Sequence, residues 1–457
     1  MAVLNPFRAL RYDAGKSGKA GPLDRLLTQP YDKISPEMQQ RYWASSPYNL
    51  AHLIKGETRA ADTPADNVYT RAAAKLKSWR ADGVLVQRAT PAYYVYHQHF
   101  TLPGKPDAPV MIRKGLVAMG RVVPYDDGVI YRHEQTLSGP KADRFELLRA
   151  TRTNLESIFM LYNDPARKLD ALVAQALTKP PTSDVNDEYG VRHIVWDVDD
   201  PAAVEAIRAE MAPKKLIIAD GHHRYETALK FGNECTATHP DKPDQDCRLA
   251  LMTCINMDDS GILVLPTHRV VAGITDWKPD DLLRRAGEYF TIREFPSSGD
   301  GNRAAALDEL RAAMEQAAGK AVCIGVVLKD HRPDKSAVYT LNPRSDAPLA
   351  ALLPELSPAQ RTLDVTVLHR LLLERCLGMD AESFQREQHV TYVRDFQEAA
   401  SSVTLDGEAG AQAAFLLNPV SPAQVAAIAF DHRVLPQKST DFYPKLLSGL
   451  AMYPLEH

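Results

Sequence analysis

Residues 214 to 230, Lys-Lys-Leu-Ile-Ile-Ala-Asp-Gly-His-His-Arg-Tyr-Glu-Thr-Ala-Leu-Lys, constrain the fold more than any other stretch. Leu216 to Asp220 form an apolar run closed by a carboxylate, the pattern of a buried strand. Gly221 permits a tight turn. From His222 onward, Tyr225, Ala228 and Leu229 share one helical face. The stretch predicts a strand, a glycine turn and a helix whose first turn carries His222, His223, Arg224 and Glu226. The leading N–H groups of a helix have no internal acceptor, and that end of its dipole is positive. An anion placed there would meet backbone donors, a guanidinium and imidazoles together, and phosphate is the natural candidate. A plainer reading stands beside this one, with Asp220 as a helix cap and one histidine hydrogen-bonded in the core.

The rest of the chain narrows the chemistry by exclusion. There is no GxxxxGK[ST] loop and no GxGxxG opening a helix, so P-loop and dinucleotide-type cofactor sites are unsupported. His133-Glu134 is not part of an HExxH motif. His222 and His223 are adjacent and lack the i, i+4 spacing of a helical zinc pair, whereas Mg²⁺ held by one or two carboxylates and phosphates is compatible. No GxSxG elbow is present. The five cysteines, at 235, 247, 254, 323 and 376, form no CxxC pair and read as free thiols, although Cys235 and Cys247 flank a polar loop and could pair.

At 457 residues the chain is too long for a single core. It is 45% hydrophobic and 25% charged with a net charge of −4, which gives no basic excess to recommend nucleic acid as a partner. No run approaches 18 apolar residues, so no membrane span is expected. The N-terminal Met-Ala-Val-Leu-Asn-Pro-Phe-Arg lacks a basic-then-apolar signal pattern, so a cytoplasmic protein is expected.

In chain order, Ser35-Pro36-Glu37 marks a helix start with Ser35 as N-cap. Gln29-Pro30-Tyr31-Asp32 is a turn whose Asp32 could face a site. Residues 65–83 predict a helix, and 93–101 with 110–123 a long hairpin. A helix over 142–152 turns Phe145, Leu147 and Leu148 inward. Arg144, Arg149 and Arg152 lie off that stripe and form a local basic patch with Lys141, either a solvated face or a clamp for phosphate or carboxylate. Residues 154–162 read as a strand. Two helices and a strand at 189–198 occupy 165–210. A polar loop spans 233–246, followed by strands at 248–257 and 262–265, the latter ending in His268-Arg269. Residues 277–351 pattern as a small α/β module, followed by a helix at 365–377 and strands at 389–394 and 413–417. The last helix covers 422–430. The tail 436–454 carries Lys438, Ser439, Thr440 and Lys445 and ends in an apolar run. It reads either as packed back to reach the central stretch or as a docked terminal strand with exposed lysines.

Asp220 to Arg224, continued by Tyr-Glu-Thr-Ala, resembles the signature of the domain of unknown function 1015 family. Gln29 to Asp32, His133 to Thr136, Lys141 to Arg144, Pro266 to Arg269, Gln437 to Thr440 and Tyr443 to Lys445 extend the resemblance over nearly the whole chain. The signature is similar in turn to the nucleotide-binding motif of the ParB/sulfiredoxin superfold. Sulfiredoxins keep a catalytic cysteine beside this motif; here His222 and His223 stand there, which argues against that reaction.

The resemblance implies a mixed α/β (α+β) protein. Residues 1–275 would form a ParB/sulfiredoxin-like nucleotide-binding core, and 276–457 a smaller α/β module whose tail packs on the core. Within the superfold the motif is similar to that of free-serine kinases, which implies phosphoryl transfer from a nucleotide (ATP or ADP) with Mg²⁺ to a small hydroxyl-bearing metabolite. Phosphoryl transfer needs positioning, charge neutralisation and a group to orient the nucleophile. On that reading Gly221, His222, His223 and Arg224 hold the phosphates, and Asp220 binds Mg²⁺. Glu134 is the general base, with Asp220 and His223 as the other catalytic candidates. His133, Lys141, Arg144, His268, Lys438 and Lys445 would contact the substrate. A nucleotide-binding switch of the ParB kind, and a nucleotide or phosphomonoester hydrolase, use the same residues and remain open alternatives.

Overall fold

A computed structural model describes residues 1–14, 18–105, 107–136, 138–238, 246–296, 300–329, 338–379, 389–403 and 410–455. The chain divides into two compact units. The first comprises Met1–Arg132, Thr136–Leu263 and Pro444–His457, and the second His133–Gln135 with Val264–Tyr443. The long passage between them thus falls at 263/264 rather than 275, and the end of the tail belongs to the first unit.

The first unit is built on a nine-stranded mixed sheet. Its strands are β1 (Leu4–Asn5), β2 (Tyr93–Phe100), β3 (Met111–Arg121), β4 (Ile130–Tyr131), β5 (Ile158–Tyr162), β6 (Ser183–Asn186), β7 (Arg192–Val198), β8 (Leu216–Asp220) and β9 (Leu249–Asn256). They run in the order β4-β8-β5-β9-β3-β2-β7-β6, with β1 also paired to β3. β8 is parallel to β4 and antiparallel to β5, so it has neighbours on both sides. Its Leu216, Ile217, Ile218 and Ala219 are all buried, which accounts for an unbroken apolar run where alternation would mark a half-exposed strand. The expected hairpin is β2–β3, with Tyr94 opposite Val117 and Phe100 opposite Met111. The polar strand β6, Ser-Asp-Val-Asn, was not legible because it is an edge strand with a single buried residue, Val185.

Helix α1 (Pro36–Ser45) starts on Ser35, whose hydroxyl accepts from the Met38 N–H. α2 (Val68–Ala81) starts on an Asn67–Thr70 capping box. α3 (Ser138–Thr151) and α4 (Pro201–Met211) precede α5 (His222–Thr238), the helix of the central stretch. α5 carries helical structure through 233–238, where a polar loop was expected, and 239–245 lie outside the described residues. Tyr225 and Ala228 of α5 join Met160, Ile218, Met252 and Cys254 in one core cluster, so the helix is fixed to the sheet immediately after the Gly221 turn.

The second unit has a six-stranded antiparallel sheet. Its strands are β10 (His268–Val271), β11 (Phe290–Phe295), β12 (Ile324–Leu328), β13 (Val338–Pro343), β14 (Val390–Val393) and β15 (Ala413–Leu416). The order is β11-β13-β12-β15-β10-β14. α6 (Asp300–Ala317) buries Leu307, Leu310 and Met314 against it. The helix expected over 365–377 is instead one α turn, Asp364–Val367, followed by a wide π-helical segment, Leu368–Cys376. Its end shows the i→i−5 bond from the Leu377 N–H to the Leu372 carbonyl at 2.9 Å. Among the described residues no helix is long and apolar enough to cross a membrane, and all five cysteines are free thiols.

Candidate functional site

Asp220 closes β8 at a register shift: Ile218 pairs with Met160, but Asp220 pairs with Phe159. Such a bulge releases a strand end from strict alternation and re-aims its side chain. Gly221 follows with φ +92°, a conformation that an L side chain rarely adopts, and a Cβ there would stand 2.9 Å from Arg224 Nε. The first helical bond of α5 runs from the Tyr225 N–H to the Gly221 carbonyl. The backbone N–H groups of His222, His223 and Arg224 therefore lie in the first turn of the helix, at the positive end of its dipole.

Both Asp220 carboxylate oxygens face cations. Oδ2 accepts from Arg224 Nη2 at 2.9 Å, and Oδ1 lies 3.1 Å from Lys445 Nζ, which is contributed from 225 residues further along. Burial alone would push this carboxyl up. The ammonium of Lys445, the guanidinium of Arg224 and the ammonium of Lys33 outweigh burial and hold it well below the usual carboxylate range. Lys445 is fixed through its backbone. Gln98 Nε2 donates to its carbonyl at 2.8 Å, and the fully buried Arg113 donates to the Pro444 carbonyl. The chain then pairs Ser448 with Thr28 in both directions and buries Leu446, Leu447 and Leu450. The tail is thus part of the site's framework.

Arg224 reaches further, donating through Nη1 to the Ser157 carbonyl. Burial works against its charge, and the carboxylates of Glu156, Asp220 and Asp32 outweigh that cost, so it stays protonated. Buried Glu156 accepts from the Tyr31 N–H at 3.0 Å and from the Ser448 hydroxyl at 3.4 Å, and it lies 3.6 Å from Arg144 Nη1. Arg144 in turn donates to the Ile54 carbonyl at 3.0 Å and covers the Tyr31 ring at 4.0 Å. Arg144 is therefore buried, which corrects the expected basic patch on α3. Arg149 is exposed and paired with Glu234, and Arg152 lies over Phe231. Four separate stretches (29–33, 141–144, 220–224 and 443–445) thus supply Tyr31, Lys33, Arg144, Asp220, Arg224 and Lys445 to connected positions in the first unit.

Of the remaining candidates, His222 and His223 share the first turn of α5 with Arg224, and the others sit elsewhere. His222 is buried and His223 half-buried on the first turn of α5. Lys141 pairs with Glu226 at 2.5 Å, a carboxylate that also accepts from Thr136 at 3.0 Å. His133, Glu134, His268 and Lys438 belong to the second unit. There Glu134 accepts the Lys438 N–H at 2.8 Å and the Thr440 hydroxyl at 3.5 Å, and His133 Nε2 bonds the same hydroxyl at 2.8 Å. Lys438 itself is exposed. His268 is buried, and its Nδ1 accepts the Leu417 N–H at 3.1 Å. Burial, aided by Arg269, pushes its ring down to about 4, so it is neutral near pH 7 and carries no charge for an anion.

Glu156 and Lys33 were not foreseen. Glu156 had a signal, a lone carboxylate within a stretch read as an apolar strand. Lys33 had none beyond adjacency to Asp32. With respect to Mg²⁺, both oxygens of Asp220 are occupied by cations, and among the described residues no three His, Cys, Asp or Glu side chains are grouped to hold a metal. The residues present do not fit a metal on Asp220.

Residues 4–366 match the model of a family described as "Protein of unknown function (DUF1015)". No curated protein matches the chain. Among solved structures, a conserved hypothetical protein from Pyrococcus furiosus is similar at 12% identity and a TM-score of 0.35, over 72% of this chain and 93% of that one. A free serine kinase in complex with ADP is similar at 11% identity and a TM-score of 0.35, over 69% and 84%. The free serine kinase in complex with AMP gives 10% and 0.34 over the same shares.

Proposed function

The chain belongs to the DUF1015 family, and for it we propose a nucleotide-dependent phosphotransferase acting on a small hydroxyl-bearing, serine-like metabolite, on a core related to the ParB/sulfiredoxin superfold. The observation that carries the reading is the pairing of Lys445 with Asp220 at the N-terminal end of α5, with Arg224 on the other carboxylate oxygen. It gathers two cations at the positive N-terminal end of a helix, where one strand ends. In this reading the nucleotide phosphates bind the N–H groups of His222, His223 and Arg224. The Lys445 ammonium turns from Asp220 to a phosphate oxygen, and Asp220 keeps Arg224 oriented. Gly221 lets the phosphate approach the backbone closely. Mg²⁺ would supply charge neutralisation of the phosphates when bound with the nucleotide, and no step here depends on its being held by Asp220. The acceptor class rests on the resemblance of the motif.

A second reading, nucleotide binding without transfer, is favoured by one observation. The Glu134 carboxylate, the candidate base, is engaged by the Lys438 N–H and the Thr440 hydroxyl. The test is direct: incubate the protein with ATP or ADP, Mg²⁺ and serine, and follow phosphoserine by ³¹P NMR. Phosphoserine formed by the wild type and lost in Lys445→Met supports transfer. Nucleotide binding without any phosphorylated product from serine or other hydroxy amino acids leaves the switch reading and removes the kinase.

A further inference from the structure

The second unit contains a cavity of about 250 Å³ whose lining includes Thr366, His369, Arg370, Glu374, Tyr392 and Gln437. None of these residues takes part in the phosphate site described above. Thr366 is 2% exposed, and its hydroxyl has no hydrogen-bond partner among the described residues. A buried hydroxyl left unpaired is costly, so a ligand atom in the cavity is the natural partner. Arg370 and Glu374 project from the wide π-helical segment Leu368–Cys376, a distortion frequent at functional sites. They bond each other at 3.0 Å while both are more than a third exposed, so a ligand can exchange for Glu374 readily.

Two cations stand at the cavity and are balanced differently: Arg370 is paired with Glu374 on the lining, whereas Arg269 behind it has no ion pair among the described residues. Arg269 is fully buried and lies over the Tyr392 ring at 5.2 Å. It donates to the carbonyls of Thr267, Gln437 and Lys438. Among the described residues no carboxylate comes within ion-pair distance of it, and Glu134 acts on it only at longer range. His369, packed near Arg269 and Arg370, is held neutral by burial and by those two cations. Among the described residues, the cavity therefore has a cation without an ion pair behind one wall, an exchangeable guanidinium on another, and an unpaired hydroxyl.

We propose that this cavity is a second ligand site, which takes a small metabolite through an oxyanion, either a carboxylate or a phosphate. Arg370 grips the oxyanion, and the Thr366 hydroxyl donates to it. The test is isothermal titration of the full chain with malonate and, separately, with inorganic phosphate. Saturable binding of at least one probe is expected, weakened at least tenfold in Arg370→Gln and severalfold in Thr366→Val, and kept in Arg224→Gln. The tighter of the two probes identifies the source. Urea melts establish that each variant is folded; Arg370 is half-buried and Thr366→Val is isosteric. Absence of saturable binding by either anion overturns the proposal, as does binding that survives Arg370→Gln and disappears with Arg224→Gln.

Discussion

Lys445 Nζ stands 3.1 Å from Asp220 Oδ1 across 225 residues of sequence, and both side chains are largely shielded from water. Removing Lys445 takes one cation from Asp220 while Arg224 still holds the other oxygen, so the loss is that of one charge-assisted hydrogen bond. Lys445→Met should therefore lower the unfolding free energy by about 1.5–3 kcal/mol. Urea denaturation at pH 7 measures this. A change under about 0.5 kcal/mol, the range of ordinary surface substitutions, would mean that the ion pair is not formed in solution.

Gly221→Ala tests the turn. The substitution places a Cβ at φ +92° and 2.9 Å from Arg224 Nε. Strain of this kind costs about 1–3 kcal/mol. The same unfolding experiment should show a loss in that range, together with weaker nucleotide binding because Arg224 must shift. A fully stable Gly221→Ala protein would argue against this backbone geometry.

The candidate base gives a kinetic prediction. Glu134→Gln keeps an oxygen to accept the Lys438 N–H, so stability should change by less than about 1 kcal/mol, the typical net value of one hydrogen bond. Nucleotide affinity should be unchanged. If Glu134 acts as base, phosphoserine formation falls by roughly 10²-fold or more. Unchanged turnover in this variant would remove Glu134 from the chemistry and leave the phosphate site untouched.

Asp364 predicts a pH dependence in the second unit. It accepts from the N–H of Cys323 at 3.0 Å and from Asn418, but burial pushes its carboxyl up to about 6 from 3.8. The folded state thus binds more protons than the unfolded state between those values. Stability contributed by this group is present below pH 3.8 and is lost as pH rises through 6. His268, whose folded value is depressed, acts with the opposite sign over part of the same range. The readout is therefore the slope of stability against pH in wild type minus that in Asp364→Asn. A negative difference between pH 4 and 6 is expected; identical slopes would contradict the raised value.

How much of this was legible in the chain depended on whether the signal was local. β8, the Gly221 turn and α5 were readable because burial on both sides makes a continuous apolar run and the helix repeats at 3.6 residues. The Ser35 cap and the β2–β3 hairpin followed from equally local chemistry. Arg144 was misplaced because helical periodicity assigns a charged residue to the outer face. It cannot register that the Tyr31 ring, the Ile54 carbonyl and Glu156 provide a buried berth. The π-helical segment escaped for the same reason, since its sequence patterns as an ordinary amphipathic helix. The Lys445–Asp220 pair is a tertiary event: the apolar end of the tail allowed a reading in which it packs back to the central stretch, but nothing in the sequence named Asp220 as the partner of Lys445.

The most direct test of the central claim is the affinity of ADP and ATP for the wild-type protein and for Lys445→Met, measured by titration calorimetry in Mg²⁺ and checked by thermal melting. A ligand at 100 times its dissociation constant adds about 2.7 kcal/mol of stability, a readily visible shift. The account predicts saturable binding of at least one nucleotide, weakened tenfold or more in a folded Lys445→Met variant. Equal affinity in the two proteins, or no binding of either nucleotide to the wild type, would contradict it.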